Sequence, residues 1–271
     1  MIKKITKSLV LSVLLSSSLF AAGEVNNGKV SAYLEGALQS ASSVEGVLGG
    51  AGFEVVGKDV NGDLTTIVFT CPTLKKLGAT PHRGFASVLR VLVDNADGII
   101  SITNPLYFER AFLQADYDEA SAKKVLAKLN SAFAGLKDSK DSLKSSKLNH
   151  YHFMMGMPYY EDMQTVGKGD NAALIAKAQA SGKALFTLKL GNNQTLIGFD
   201  LDDDIASFVG TIGKRNGSVL PYTVLIEDGK AKILAAKYDI ALSYPSLKMG
   251  QFMQISSTPG KIEENIASAF K

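Results

Sequence analysis

The densest grouping of chemically useful side chains in the sequence is Asn149-His150-Tyr151-His152-Phe153-Met154-Met155-Gly156-Met157. It holds two of the chain's three histidines and three of its seven methionines. Read as an extended strand, its period of two places His150, His152 and Met154 on one face and Tyr151, Phe153, Met155 and Met157 on the other. Imidazole and thioether together suit copper, above all Cu(I), which prefers soft ligands. Met249 and Met253, at i and i+4, would add two thioethers if the fold brings them near. The same residues also read as the first strand of a second unit, with Met and aromatic side chains in the core and His at its edge, because Met is a common core filler. Spacing supplies two or three ligands, not a closed site. His82, just before Arg83-Gly84, reads as a loop residue rather than a ligand.

The second candidate is Cys71, the only cysteine. Pro72 suits the first position of a helix continuing through Thr73, Leu74, Lys75, Lys76 and Leu77, which makes Cys71 an N-cap candidate. Free amides, the helix dipole and either lysine would favour a thiolate there, and so a reactive thiol. Against this, Ile67, Phe69 and Cys71 alternate along one strand face, and a free Cys commonly packs as a small apolar residue. A single cysteine excludes an intrachain disulfide, dithiol redox chemistry, paired-Cys haem attachment and Cys-cluster metal sites.

Other signals fail on inspection. Asp200, Asp202 and Asp204 mimic the start of a calcium loop, but Ile205 stands where Gly is needed and Thr211 where Glu is needed; capping of the helix that runs through Phe208 is the better reading. The glycines at 46–52 follow a helix and precede a strand, the reverse of a dinucleotide-binding turn. The sequence contains no P-loop, no Gly-x-Ser-x-Gly elbow and no paired-His helical zinc motif.

The elements that would position these residues repeat. An amphipathic stretch with Val30, Leu34, Ala37, Leu38, Ala41, Val44 and Leu48 at helical spacing runs into Gly49, Gly50 and Gly52. A hairpin over 53–60 and 64–69 follows, turned at Asn61-Gly62. The second half has a helix over 172–181, then strands over 184–190 and 195–199. A short helix and a second hairpin come next in each half, over 87–93 with 99–103 and over 218–226 with 230–235. Gly52 matches Gly182 and Phe69 matches Phe199, each 130 positions on; Ser87 matches Ser218 and Asp97 matches Asp228, each 131 on. Both halves close on amphipathic helices, ending at Phe133 and Phe270, and Thr258-Pro259 reads as the N-cap and first turn of the latter. The polar stretch 137–147 reads as a solvated helix extension or linker. The expected organisation is a unit over 24–136, this linker, and a second unit over 148–271. Each unit is expected to be α+β: a mostly antiparallel sheet of hairpins with helices on one face.

At the second hairpin of each half the residues resemble the domain of unknown function 302 family. Phe69-Thr70-Cys71-Pro72, Val88-Leu89-Arg90-Val91-Leu92-Val93 and Ser101-Ile102-Thr103-Asn104-Pro105 follow its three characteristic elements. The second half keeps Leu220-Pro221-Tyr222-Thr223-Val224-Leu225-Ile226-Glu227-Asp228 but has Leu201-Asp202 and Ala235-Ala236 in place of Cys-Pro and Asn-Pro, like a diverged copy. The resemblance implies the duplicated fold and brings no activity with it.

Residues 1–23 have the grammar of a secretory leader: Lys3, Lys4 and Lys7, then an apolar run over 9–20, then Ala21, Ala22 and Gly23. The run is too short and too interrupted by serine to span a bilayer, which needs about 20 apolar residues. Up to Ala22 the leader carries three of the 29 Lys and Arg residues and none of the 26 Asp and Glu, so the exported chain has no formal net charge. That removes the electrostatic reason to expect nucleic acid or anionic membrane as partners. A periplasmic or secreted, non-enzymatic module binding a small ligand or partner in a cleft between two units is expected, with copper handling and thiol chemistry as the alternatives.

Overall fold

Turn residues divide the described chain, residues 21–271 of a computed structural model, into short elements. The leader read at the N-terminus lies outside these residues up to position 20. In chain order the first half runs β1 (Lys29–Ser31), β2 (Tyr33–Ala37), α1 (Ala41–Gly50), β3 (Glu54–Asn61), β4 (Leu64–Thr70), α2 (Pro72–Gly78), a 3-10 turn (Gly84–Ser87), β5 (Leu89–Asp94), β6 (Ile99–Thr103), α3 (Pro105–Leu113) and α4 (Glu119–Ala132). A polar connection follows as β7 (Lys137–Asp138), β8 (Ser142–Lys144) and α5 (Ser145–Leu148). The second half runs β9 (Gln164–Lys168), α6 (Asn171–Ala180), β10 (Ala184–Lys189), β11 (Thr195–Phe199), α7 (Asp203–Ala206), α8 (Phe208–Ile212), a 3-10 turn (Lys214–Val219), β12 (Tyr222–Glu227), β13 (Lys230–Ile233), α9 (Ala236–Ser243), α10 (Met249–Gln254) and α11 (Thr258–Ser268).

The fold is α+β with antiparallel sheets. The N-terminal sheet has the order β3-β4-β5-β6-β2-β7 and the C-terminal sheet β10-β11-β12-β13-β9, while β1 and β8 form a separate ribbon. Position for position, the first five strands of the two sheets occur in the same chain order. The turn between β12 and β13 is the tight two-residue reversal its sequence calls for: Asp228 and Gly229 have φ of 49° and 68°, the left-handed pair that matches strand twist. Among the described residues no helix is long and apolar enough to cross a membrane.

Several sequence expectations are corrected here. The helical-looking run from Val30 is two strands before it becomes α1: Tyr33 and Leu34 are both buried, and pairing of β2 with β6 and β7 overrides the apolar spacing. The stretch 137–147 is not a helix extension, since β7 adds to β2 and β8 pairs with β1. The segment around His150 is loop, and the first strand of the second half is β9, further on. Asp202 stands at the N-cap of α7, yet its carboxylate takes Lys183 at 2.8 Å and Asn265 instead of helix amides. At α11 the cap position is Ser257 rather than Thr258. Gly23, at the end of the leader reading, is packed: its N–H donates to Asp138 Oδ1 at 2.6 Å and its carbonyl accepts from Asn104.

The two sheets are locked together reciprocally. Tyr107 on α3 donates its hydroxyl to Leu242 O at the end of α9, and Tyr238 on α9 donates to Ala111 O at the end of α3. Adding 131 to one contact gives the other, the signature of a self-complementary interface. These bonds satisfy helix C-terminal carbonyls that have no partner within their helix; Tyr33 and Tyr151 treat Ser243 O and Ala241 O likewise. Side chains cross in both directions: Phe186, Leu188, Leu196 and Leu225 enter the core under the N-terminal sheet, and Leu64 and Leu92 enter the core under the C-terminal one. Phe186 lies over Gly57 and Gly198, where an added Cβ would come within 2.7 and 2.1 Å of its ring. Tyr107→Phe should lower stability by about 1–3 kcal/mol, the cost of stranding the buried Leu242 carbonyl, and Tyr238→Phe by less, because Ala111 O still accepts from Gln114 Nε2. Urea unfolding should find the larger loss in Tyr107→Phe; no loss in either variant would show that these hydroxyls do not hold the junction.

Candidate functional site

The loop between α2 and β5 builds one end of the junction. α2 stops at Gly78, where an added Cβ would lie 2.5 Å from Ser87 Cβ, so the loop can fold back closely. Ala79 O then accepts from Asn192 and Gln194 of the β10–β11 turn, at 2.7 and 3.1 Å, tying the loop to the C-terminal sheet. Farther on, an added Cβ at Gly84 would meet Leu225 Cδ1 at 2.3 Å, so only glycine permits this approach.

Between these two anchors sits His82 with φ of 66°. That left-handed backbone costs a non-glycine residue about 1–2 kcal/mol and persists only where the surroundings over-determine it. Here they do. Its N–H donates to Glu227 Oε2 at 3.0 Å, its ring Nδ1 lies 2.5 Å from Glu227 Oε1, and its carbonyl accepts from Tyr160 Oη at 2.6 Å. Glu227 ends β12 and its side chain is only 3 % exposed. Burial pushes its carboxyl up, but hydrogen bonds from Lys232 and from the side chain and backbone of His82 together outweigh it and hold the group below its ordinary value. An ionised carboxylate only accepts, so the short contact requires the proton on His82 Nδ1. The half-exposed imidazole is thereby oriented with Nε2 open.

His82 and Arg83 from the first half, and Tyr160, Glu161, Met163, Thr165, Lys230 and Lys232 from the second, line a cleft of about 400 Å³. The Arg83 guanidinium lies over the Tyr160 ring, 5.1 Å from its centroid, and pairs with Asp116 at 3.0 Å. Lys232 pairs with Glu227 at 2.9 Å. The result is a concave wall rich in lysine and arginine, in which Glu227 is already engaged by Lys232 and His82 and Glu161 is the acidic side chain that lines the space. Ligand atoms of His82, Glu227 and Asp228 also lie within 4.8 Å of one another, a possible cation cage. Lys232 argues against that use, because its ammonium already holds the carboxylate a metal would need.

The opposite end of the junction carries a second cleft of about 380 Å³, beside the 3-10 turn at Lys214–Val219. There Arg215 pairs with Asp97 at 3.0 Å and Asn216 donates to Asp141 at 2.9 Å. Its charges are matched more evenly, and no strained residue faces it.

The residues singled out from sequence fall elsewhere. Cys71 does occupy the N-cap of α2 ahead of Pro72, but makes no capping bond and is 2 % exposed in the core, so a reagent has no path to its thiol. His150 and His152 both lie against the Tyr159 ring, at centroid distances of 4.7 and 4.6 Å, and His152 Nδ1 is 2.8 Å from Met154 O. They do not share a strand face with Met154, because no strand forms there. Phe153 stacks on Phe252 at 5.6 Å, which sets the loop beside α10 and its Met249 and Met253. Sequence spacing does not reveal the dyad of His82 and Glu227: the two are 145 positions apart, His82 stands in no motif, and the hairpin run that holds Glu227 gives it no partner. Comparison of the chain with protein-family models, curated proteins and solved structures returns no match.

Proposed function

We propose that the protein is an exported, non-enzymatic binding module, two related α+β units joined as an internal pseudo-dimer, that holds a small anion in the cleft at His82. The observation that carries this reading is His82 itself, held in a costly backbone conformation by a buried carboxylate from the other half of the chain. Such strain persists where it positions a group for use. Lys230 and Lys232 of β13 and the Arg83 guanidinium surround the open Nε2 of His82, which itself donates only when it carries a second proton; together these groups suit a carboxylate or phosphate. A volume of about 400 Å³ is in the range of small-molecule pockets. With no formal net charge on the exported chain, anion affinity would be local to this cleft and would not extend to nucleic acid. Export itself rests on the leader grammar of residues 1–23, and the relation to the domain of unknown function 302 family on the hairpin residues.

The test is a thermal-shift and calorimetric screen of the exported protein against inorganic phosphate, succinate and citrate. At least one should raise the melting temperature, and His82→Gln or Lys230→Gln should weaken its binding about tenfold or more, the value of one charge-assisted contact. No shift with any of the three, or a shift indifferent to both substitutions, would overturn the proposal.

A further inference from the structure

Seven large apolar side chains are exposed among the described residues, and four of them are methionine: Met154, Met155, Met249 and Met253. They are not scattered. The first pair follows Phe153 and the second flanks Phe252, and the stack of those two rings, 5.6 Å between centroids, brings loop and helix together. A second contact runs alongside, where Gly156, Met157 and Pro158 face Ser256, Ser257 and Pro259 across a shared cavity. An apolar side chain left in water forgoes the stabilisation of burial. Thioethers concentrated on one surface therefore call for a use that Leu or Ile would not serve.

The neighbouring histidine is prepared for the same use. His152 Nδ1 faces the carbonyl of Met154 at 2.8 Å. A carbonyl accepts only, so the proton must be on Nδ1, and the lone pair is on Nε2. Fixing one ring nitrogen with a backbone carbonyl is how metal-binding imidazoles are commonly oriented. The Tyr159 ring, 4.6 Å away, restrains the imidazole further.

We infer that this surface takes up Cu(I), through thioethers of Met154, Met249 and Met253 and Nε2 of His152. Soft, neutral thioethers with one imidazole suit a monovalent soft ion and offer little to zinc, magnesium or calcium, which favour harder or charged ligands. The three thioethers bring no charge of their own to the ion. None of these four residues lines the anion cleft, so the two sites stand or fall separately.

The experiment is an anaerobic titration of the metal-free exported protein with Cu(I), in competition with a chromophoric Cu(I) chelator. One equivalent should bind. Met249→Leu with Met253→Leu should weaken binding at least tenfold, as should His152→Ala, while the melting temperature stays unchanged because all three side chains reach solvent. Leucine preserves apolar area, so a patch serving to dock another protein would tolerate the methionine swap and a copper site would not. Failure to draw Cu(I) from the chelator, retention of full affinity in both variants, or binding of Cu(II) alone would each overturn the inference. Glu227→Ala should leave copper affinity intact, which separates this result from the fate of the cleft.

Discussion

Replacing Glu227 by alanine should lower the unfolding free energy by about 3 kcal/mol, since removal of one partner from a buried ion pair leaves the other charge uncompensated. The carboxylate is 3 % exposed and the Lys232 side chain 14 %. It accepts from the His82 amide, the His82 ring and Lys232 at once, so truncation orphans three donors. The left-handed backbone of His82 then loses what over-determines it, and the loop 79–83 should relax toward ordinary φ values. Adding Lys232→Met to Glu227→Ala should recover part of the loss by removing the stranded ammonium. Urea unfolding at constant m-value measures both steps; a loss below about 1 kcal/mol would mean that the pair is solvated and the loop held by other contacts. Glu227→Ala should also abolish the ligand-induced thermal shift, because the imidazole would no longer be aimed.

The second large effect is on the pH dependence of stability. Arg90 on β5 crosses the junction and donates to Pro221 O at 3.3 Å, while its Nε finds no partner. Near it lie two buried carboxyls, Asp59 on β3 and Asp239 on α9. Burial is the larger cause in both, joined for Asp59 by the charge of Asp200 and opposed in both by Arg90; each is pushed up to about 6. A carboxyl whose folded value lies above its unfolded value of about 3.9 binds its proton more tightly in the folded chain. Its contribution is therefore full below about pH 4 and lost as pH rises through about 6. A rise of that size is worth about 3 kcal/mol for each carboxyl. Asp239→Asn should raise stability at pH 7.5 by about 2–3 kcal/mol and have little effect at pH 4. Unfolding curves of the two proteins at both pH values isolate the Asp239 contribution, since Glu227, which is displaced in the opposite direction, is common to both. A variant no more stable at pH 7.5 than at pH 4, relative to the parent, would show that Arg90 fully compensates the carboxylate.

Local signals in the sequence translated well where they were strong. Asn61-Gly62 and Asp228-Gly229 mark true hairpins, α2, α4, α6 and α11 lie where their local signals put them, and α1 takes only the later part of its apolar run. Strands with little local signature were missed. β9 is Gln164-Thr165-Val166-Gly167-Lys168, an exposed edge without apolar alternation, and β7 and β8 are polar edges of the same kind. β2 was hidden by an accidental helical spacing that only its pairing partners overrule.

The two sites were unequally legible for related reasons. Methionine and histidine crowd one short segment, so the proposed copper ligands stand out, although the strand expected for them is a loop and α10 is joined to it by the Phe153–Phe252 stack. The cleft depends on docking of the two halves, and a single histidine after a proline gives no hint of a glutamate 145 positions on. What sequence does provide is the reason the halves can dock so closely: Gly57 and Gly84 stand where the opposite half presents Phe186 and Leu225, and Gly198 leaves room for the Phe186 ring within its own sheet.

The chain's three histidines are reporters placed at the two surfaces, His82 in the cleft and His150 and His152 on the methionine loop. Nitrogen NMR of the imidazoles, recorded during titration with whichever of phosphate, succinate or citrate raises the melting temperature, therefore tests the binding cleft most directly. His82 should keep its proton on Nδ1, and its Nε2 should move toward the shift of a protonated, donating nitrogen as the anion binds, while those of His150 and His152 move far less. A silent His82, with the changes confined to His150 and His152, would contradict a ligand site at the junction.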